Sequence, residues 1–167
     1  MKPLVLLVGP SGSGKNYLCK TLGLRTLPSY TTRPMRVGEQ QNVEHIFADK
    51  PTYYMHKVKH QIIAETEYDD HMYWATWTQF ENTEYDVYIV DPNGVKVIEM
   101  AHDPVINSII RLERPYRIVY LNVNVWKRIK NMRKRGDSLC NIIKRICIDH
   151  YTFQQFKQRT DVQIINL

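Results

Sequence analysis

The sequence predicts an α/β fold, with a parallel sheet flanked by helices. Three observations carry this expectation. Short apolar runs at 4–8, 87–90 and 118–123, with a fourth at 162–165, have the length and composition of strands buried on both faces. Stretches with helical spacing lie between them, and strand–helix alternation with short connections builds a parallel sheet with right-handed crossovers. The chain has 167 residues, 43% hydrophobic and 24% charged, which is the composition of one globular domain and excludes a disordered chain.

The elements follow in order. The run at 4–8 leads into a glycine-rich segment, then a helix over 15–22. From 29 to 76 the α/β rhythm breaks. This stretch is rich in Tyr, Thr and His, with β-type segments at 43–47, 61–68 and 71–74 and a short helix over 52–59. It reads as a small mixed-β insert of about 29–76 in a core of 1–28 and 77–167, all within a single domain 1–167. A helix over 93–102 follows the second run. Asn124 is an N-cap candidate for a basic helix over 125–134. The longest helix spans 138–158, with Leu139, Ile142, Ile143, Ile146, Phe153 and Phe156 on its apolar face. The hinge between these last two helices, about 133–145, is the expected lid.

Net charge is +6, concentrated at Lys127, Arg128, Lys130, Arg133, Lys134 and Arg135, while 65–70 is acidic. A local basic cluster beside a single core suits phosphate groups. No apolar run approaches the roughly 20 residues of a membrane span, and the opening run is too short for a secretory signal, so a cytoplasmic protein without a membrane partner is expected. Cys19, Cys140 and Cys147 form no CxxC pair and no ligand cluster, which suits free thiols in a reducing compartment. Cys140 and Cys147, seven apart, are expected to pack in the core.

Gly9, Pro10, Ser11, Gly12, Ser13, Gly14 and Lys15 match the GxxxxGK of a P-loop between strand and helix, the context that motif requires. Glycines let successive N–H groups turn toward phosphate oxygens, and the lysine adds a point charge at the terminal phosphates. ATP with Mg²⁺ is the expected ligand. Asn16 stands where a hydroxyl usually meets the metal; its amide oxygen can take a water held by Mg²⁺. About twenty residues on, Arg33 and Arg36 sit three apart in a loop bounded by Pro34 and Gly38. Two guanidinium forks can hold a phosphate dianion.

The segments 9–15 and 29–39 together resemble the guanylate kinase family. The likeness continues through Glu65, 73–76, 91–95, Arg135–Gly136, Arg145 and 161–166, and so covers nearly the whole chain. The resemblance implies a P-loop kinase core, a monophosphate-binding insert and a short lid. It implies a nucleoside-monophosphate kinase that transfers the γ-phosphoryl of ATP to GMP or dGMP. Lys15, Arg33, Arg135 and Arg145 would be catalytic, and 9–16 would bind ATP. Ser29, Arg33, Arg36, His45, Glu65, Tyr73, Trp74, Thr76 and Asp91 would bind the acceptor, with Ser29, Glu65, Thr76 and Asp91 at the guanine.

The chain departs from the family where His45 and Trp74 replace tyrosines and Ile89 replaces an aspartate. Asn131 stands at the first lid arginine, for which Arg128 is a candidate substitute. These departures keep two alternatives open: a kinase for another nucleoside monophosphate or modified base, and a catalytically weak binding module. Partners are small nucleotides rather than nucleic acid, since no repeated stacking module is present.

Overall fold

The computed structural model describes residues 1–68, 70–102 and 113–167. The core is a four-stranded sheet of β1 (Leu4–Val8), β6 (Val87–Ile89), β7 (Tyr116–Asn122) and β8 (Gln163–Asn166), in the order β6-β1-β7-β8 and parallel throughout. Leu4, Leu6 and Val8 alternate onto one face with Ile118, Tyr120, Phe153 and Phe156. Leu7 lies on the other face with Cys19, Val87, Leu121 and Val123, under α1 (Lys15–Thr21). Period-two alternation in β1 thus feeds two cores, as a doubly covered sheet requires.

A second sheet, β3-β2-β5-β4, is built from β2 (Tyr30–Thr31), β3 (Ile46–Phe47), β4 (Ile62–Tyr68) and β5 (His71–Thr76). β2 runs parallel to β3 and antiparallel to β5, which is antiparallel to β4. α2 (Lys50–Val58) starts where Asp49 accepts from the Thr52 amide at 2.9 Å. α3 (Trp77–Glu81) starts in a reciprocal capping box between Thr76 and Gln79. The insert shares the main core, since Ile63, Ala64 and Ala75 join the cluster of Leu4, Leu6 and Val95. Contact is made through α4 (Pro92–His102), where a Cβ on Gly94 would collide with the Val90 side chain and touch Ala64 Cβ at 3.4 Å.

The observed elements refine the expectations. The strand expected over 43–47 shortens to two residues, because 40–45 is committed to turns and a bridge between Gln41 and His45. β2 and α3 were not anticipated. The helix expected over 138–158 is α6 (Leu139–Gln154) followed by a 3₁₀ turn at Phe156–Gln158, and α5 is Val125–Lys134 as expected, capped by Asn124. Cys19 is buried, whereas Cys140 and Cys147 are exposed, since α6 turns Ile142, Asp149 and Phe153 inward instead. Of the acidic stretch 65–70, residue 69 lies outside the described residues. Among the described residues no helix is long and apolar enough to cross a membrane.

Arg114 is fully buried and donates to four backbone carbonyls: Lys2 at 3.1 Å, Phe80 at 3.0 Å, Asn82 at 2.5 Å and Tyr85 at 2.5 Å. It ties the entrance of β1 to the carboxyl end of α3, where unpaired carbonyls accumulate. Arg114→Leu orphans these acceptors, each at about 1–3 kcal/mol. The expected result is a loss of at least about 2 kcal/mol in a urea titration; an unchanged midpoint would show the carbonyls are solvated instead.

Candidate functional site

In a parallel sheet the carboxyl ends of the strands share one edge, and ligands gather there. β1 delivers the glycine loop to this edge, β6 delivers Asp91, and β7 delivers Asn124. Gly12 and Gly14 take φ of 74° and 85°, which lets the loop curl. Lys15 folds back over it, donating to Gly9 O at 2.6 Å, Pro10 O at 3.1 Å and Ser13 Oγ at 3.3 Å. Burial lowers its pKa to about 8; Asp149 opposes this, and Arg128 and Arg135 add to it. Asn16 is exposed on the first turn of α1.

A second cationic cluster lies in the loop after β2. Arg33 is buried against Glu39, with Nη1 to Oε2 at 3.0 Å and Nη2 to Oε1 at 2.9 Å, and Nη1 also donates to Pro34 O at 2.7 Å. Three of its five donors are thus used. The Nε–H and the second Nη2–H share an edge and are left for the Tyr73 hydroxyl or an arriving anion. Burial pulls the Arg33 pKa down, but Glu39 and Tyr73 raise it overall. Glu39 also accepts from the Arg36 amide at 2.8 Å, which closes the loop.

His45 meets Ser29 Oγ through Nδ1 at 3.0 Å, and its ring lies 5.7 Å from that of Tyr73 and 5.9 Å from that of Phe47. The Arg33 guanidinium sits 5.4 Å over Phe47. Burial and then Arg33 lower the His45 pKa, so the ring is neutral near pH 7. Ser29, Arg33, His45 and Tyr73 therefore form one cluster.

The turn between α5 and α6 carries a third set of charges. Arg135, half-exposed, pairs with Asp137 across the turn between α5 and α6. Burial raises the Asp137 carboxyl, but its bond to Arg135 and the charges of Arg135, Arg145 and Arg36 hold it below the usual carboxylate range. One carboxylate thus feels arginines from both the lid and the insert. Arg128, the expected substitute for the first lid arginine, is buried and bonded to Asp149 and to Ser11 O, so it shares no anion with Arg135.

The base-facing set is divided by strand parity. Residues directly opposite on paired strands share a face. Glu65 is opposite Trp74, and Thr66 is opposite Tyr73. Trp74 is buried on the α2 side, stacked on Tyr30 at 5.2 Å and donating to His56 Nδ1 at 3.0 Å. Glu65 is on the same side, accepting from Tyr53 at 2.7 Å and Lys57 at 3.0 Å. Both therefore lie on the opposite face of the sheet from Tyr73. The Thr76 hydroxyl serves the α3 cap with Gln79. Asp91 keeps its place at the strand edge, accepting from the Gly94 amide at 2.7 Å and from Thr66 Oγ1 at 2.6 Å. Thr66 was missed in the sequence because a lone strand threonine carries no signal. Ile89 packs under α1 with Leu7 and Val87.

Among the described residues no three His, Cys, Asp or Glu side chains converge as a metal site. Asn16, exposed at the start of α1, presents an amide oxygen that could bind a water held by a metal ion.

No family model matches the chain. Three curated proteins named guanylate kinase match parts of it. That of Bradyrhizobium diazoefficiens is 44% identical over 55 residues, 30% of this chain and 25% of that protein. That of Symbiobacterium thermophilum is 42% identical over 52 residues, 28% and 25%. That of Legionella pneumophila strain Lens is 27% identical over 116 residues, 64% and 56%. The matches therefore span a quarter to just over half of these relatives' length. Among solved structures, guanylate kinase from Anaplasma phagocytophilum shares the fold with a TM-score of 0.60 at 15% identity, over 97% of this chain and 76% of that one. Taken together, the chain is similar to guanylate kinases in parts of its sequence and shares their fold.

Proposed function

We propose that the protein is a nucleoside-monophosphate kinase that transfers the γ-phosphoryl group of ATP to GMP or dGMP. The supporting observation is a pair of cationic clusters, the glycine loop with Lys15 and the Arg33 fork beside Tyr73, with the α5–α6 turn linked electrostatically to both through Arg135 and Asp137. Phosphoryl transfer needs two anions held in line and their repulsion neutralised. In this reading the loop from Gly9 to Asn16 holds the donor phosphates, with Lys15 leaving its carbonyls for the terminal phosphates. Arg33, Arg36, Ser29, His45 and Tyr73 hold the acceptor phosphate. An acceptor oxygen attacks the γ-phosphorus, the bond to the bridging oxygen breaks, and ADP leaves with that electron pair. Arg135 and Arg145 close from the lid, neutralise the developing charge and exclude water. Mg²⁺, when bound, supplies further charge neutralisation at the donor phosphates. The insert, core and lid correspond in this reading to acceptor, donor and closing segments of a cytoplasmic enzyme.

A second reading, a kinase for a different base, is favoured by the place of Glu65. With that carboxylate on the α2 side, the groups left on the acceptor face are Ser29, Thr66 and Asp91. Hydroxyls donate or accept equally, so they discriminate bases weakly. A coupled assay over ribo- and deoxynucleoside monophosphates decides between them. A guanine preference that Glu65→Gln abolishes supports the first reading. Comparable rates on pyrimidine nucleotides, with Glu65→Gln silent on selectivity, support the second. No turnover on any acceptor leaves only a binding module.

Lys15→Ala is expected to lower kcat by about 10²–10³. Arg33→Ala is expected to raise the acceptor KM and leave the donor KM nearly unchanged, and the opposite split would exchange the two sites. Lys15 also makes donor binding pH-dependent. It binds phosphate as the cation, and its pKa of about 8 in the empty loop means the cation is lost as pH rises through 8. Bound phosphates favour the charged form, so ATP binding near pH 8 takes up a proton. Calorimetry in two buffers of different ionisation enthalpy measures that uptake; equal heats would place Lys15 outside the donor site.

A further inference from the structure

We propose that Asp149, on α6, is a positioning residue that works with Arg128 to hold the glycine loop in its phosphate-receiving curve. The inference rests on the reading of that loop as the donor site. The Ser11 amide donates to Asp149 Oδ2 at 2.9 Å, and the Ser11 hydroxyl lies 3.4 Å from Oδ1. Arg128 pairs with the same carboxylate through Nη2 and donates from Nε to Ser11 O at 2.9 Å. Asn131 Nδ2 donates to the next carbonyl, Gly12 O, at 2.8 Å. Both backbone groups of Ser11 and the carbonyl of Gly12 are thus fixed from outside the loop, by α5 and α6.

Burial makes these contacts strong. Asp149 and Arg128 are 8% and 9% exposed, where screening is weak and a charged hydrogen bond is worth more than in water. The contact is also close. A Cβ on Gly12 would stand 2.6 Å from the Arg128 carbonyl, so α5 presses directly on the loop. A loop with two glycines at positive φ has more freedom than most, and freedom lost on binding weakens affinity. Fixing the Ser11 and Gly12 peptide units beforehand removes part of that cost and aims the following amides.

A carboxylate under an anion site needs a reason, and Lys15 supplies one. The charged and titratable groups facing Lys15 are Asp149 and Arg128 beneath the loop, Arg135 on the lid turn and Cys19 on α1. Asp149 is the group that most favours the lysine cation against burial and the two arginines. It therefore supports the loop's backbone and its charge together.

Two variants test this. Asp149→Asn keeps the shape and removes the charge. The double variant Arg128→Met, Asp149→Leu removes both charges and leaves neither orphaned, a replacement that folds well elsewhere. Both are expected to lose exchange protection at the Ser11 amide while strand amides keep theirs. Both should weaken ATP binding by about tenfold or more, the loss expected for a charged hydrogen bond. The donor KM should rise and the acceptor KM should not. In Asp149→Asn the alkaline fall of kcat/KM should move to lower pH, and Asp149→Glu should restore part of it. A folded variant with wild-type Ser11 exchange and ATP affinity overturns the proposal and leaves the kinase reading standing. A wild-type protein that binds no ATP overturns the kinase reading, and Ser11 exchange still decides the role of Asp149.

Discussion

An arginine cannot shed its charge when buried, so every guanidinium taken from water must be matched with acceptors. Among the described residues Arg33, Arg114 and Arg128 are buried, and each is matched by a different segment. Arg114 gathers four carbonyls and ties β1 to α3. Arg33 takes Glu39 and Pro34 O and thereby closes the loop from Arg33 to Glu39. Arg128 takes Asp149 and Ser11 O and thereby anchors the glycine loop. These segments lack a regular hydrogen-bond ladder of their own. Satisfying a buried cation gives them one geometry, and the site inherits that order.

The sheets supply the frame around these anchors. Parallel strands bring the glycine loop, Asp91 and Asn124 to one edge. The second sheet reaches that edge because Gly94 lets β4 approach α4. Strand parity then sorts the insert's side chains. Trp74, Tyr30, Tyr53 and His56 form an aromatic cluster under α2, and Tyr73, Thr66 and Thr31 take the opposite face.

The core sheet was legible in the sequence because a buried strand needs consecutive apolar residues, and the runs at 4–8 and 118–123 have little else. The glycine loop was legible because its φ angles and its lysine demand particular residue types. Glu65 was not. A carboxylate in a strand announces a charge and not a face, and the bulge between Ile62 and Ala64 resets the alternation, so that Ile63 and Ala64 are both buried. Asp149 was hidden for another reason. Its partner Ser11 is 138 residues away, and on its own helix it reads as one acidic residue among apolar ones. Cys140 and Cys147 illustrate the limit of spacing, which says that two residues share a face and not which way that face points.

Carboxylates interleaved among the cations let so many positive groups converge. Asp137 is within electrostatic reach of Arg36, Arg135 and Arg145, and Asp149 of Lys15. These pairs are not equivalent. The Arg33 side chain is 9% exposed, and Glu39 occupies one edge of its fork while Tyr73 bonds the same guanidinium. The Arg135 side chain is 49% exposed, and its pair with Asp137 is screened by water and held weakly. Separating Arg135 from Asp137 therefore costs little, whereas separating Arg33 from Glu39 would strand a buried charge. The first pair is exchangeable and the second fixed, and burial sets the difference.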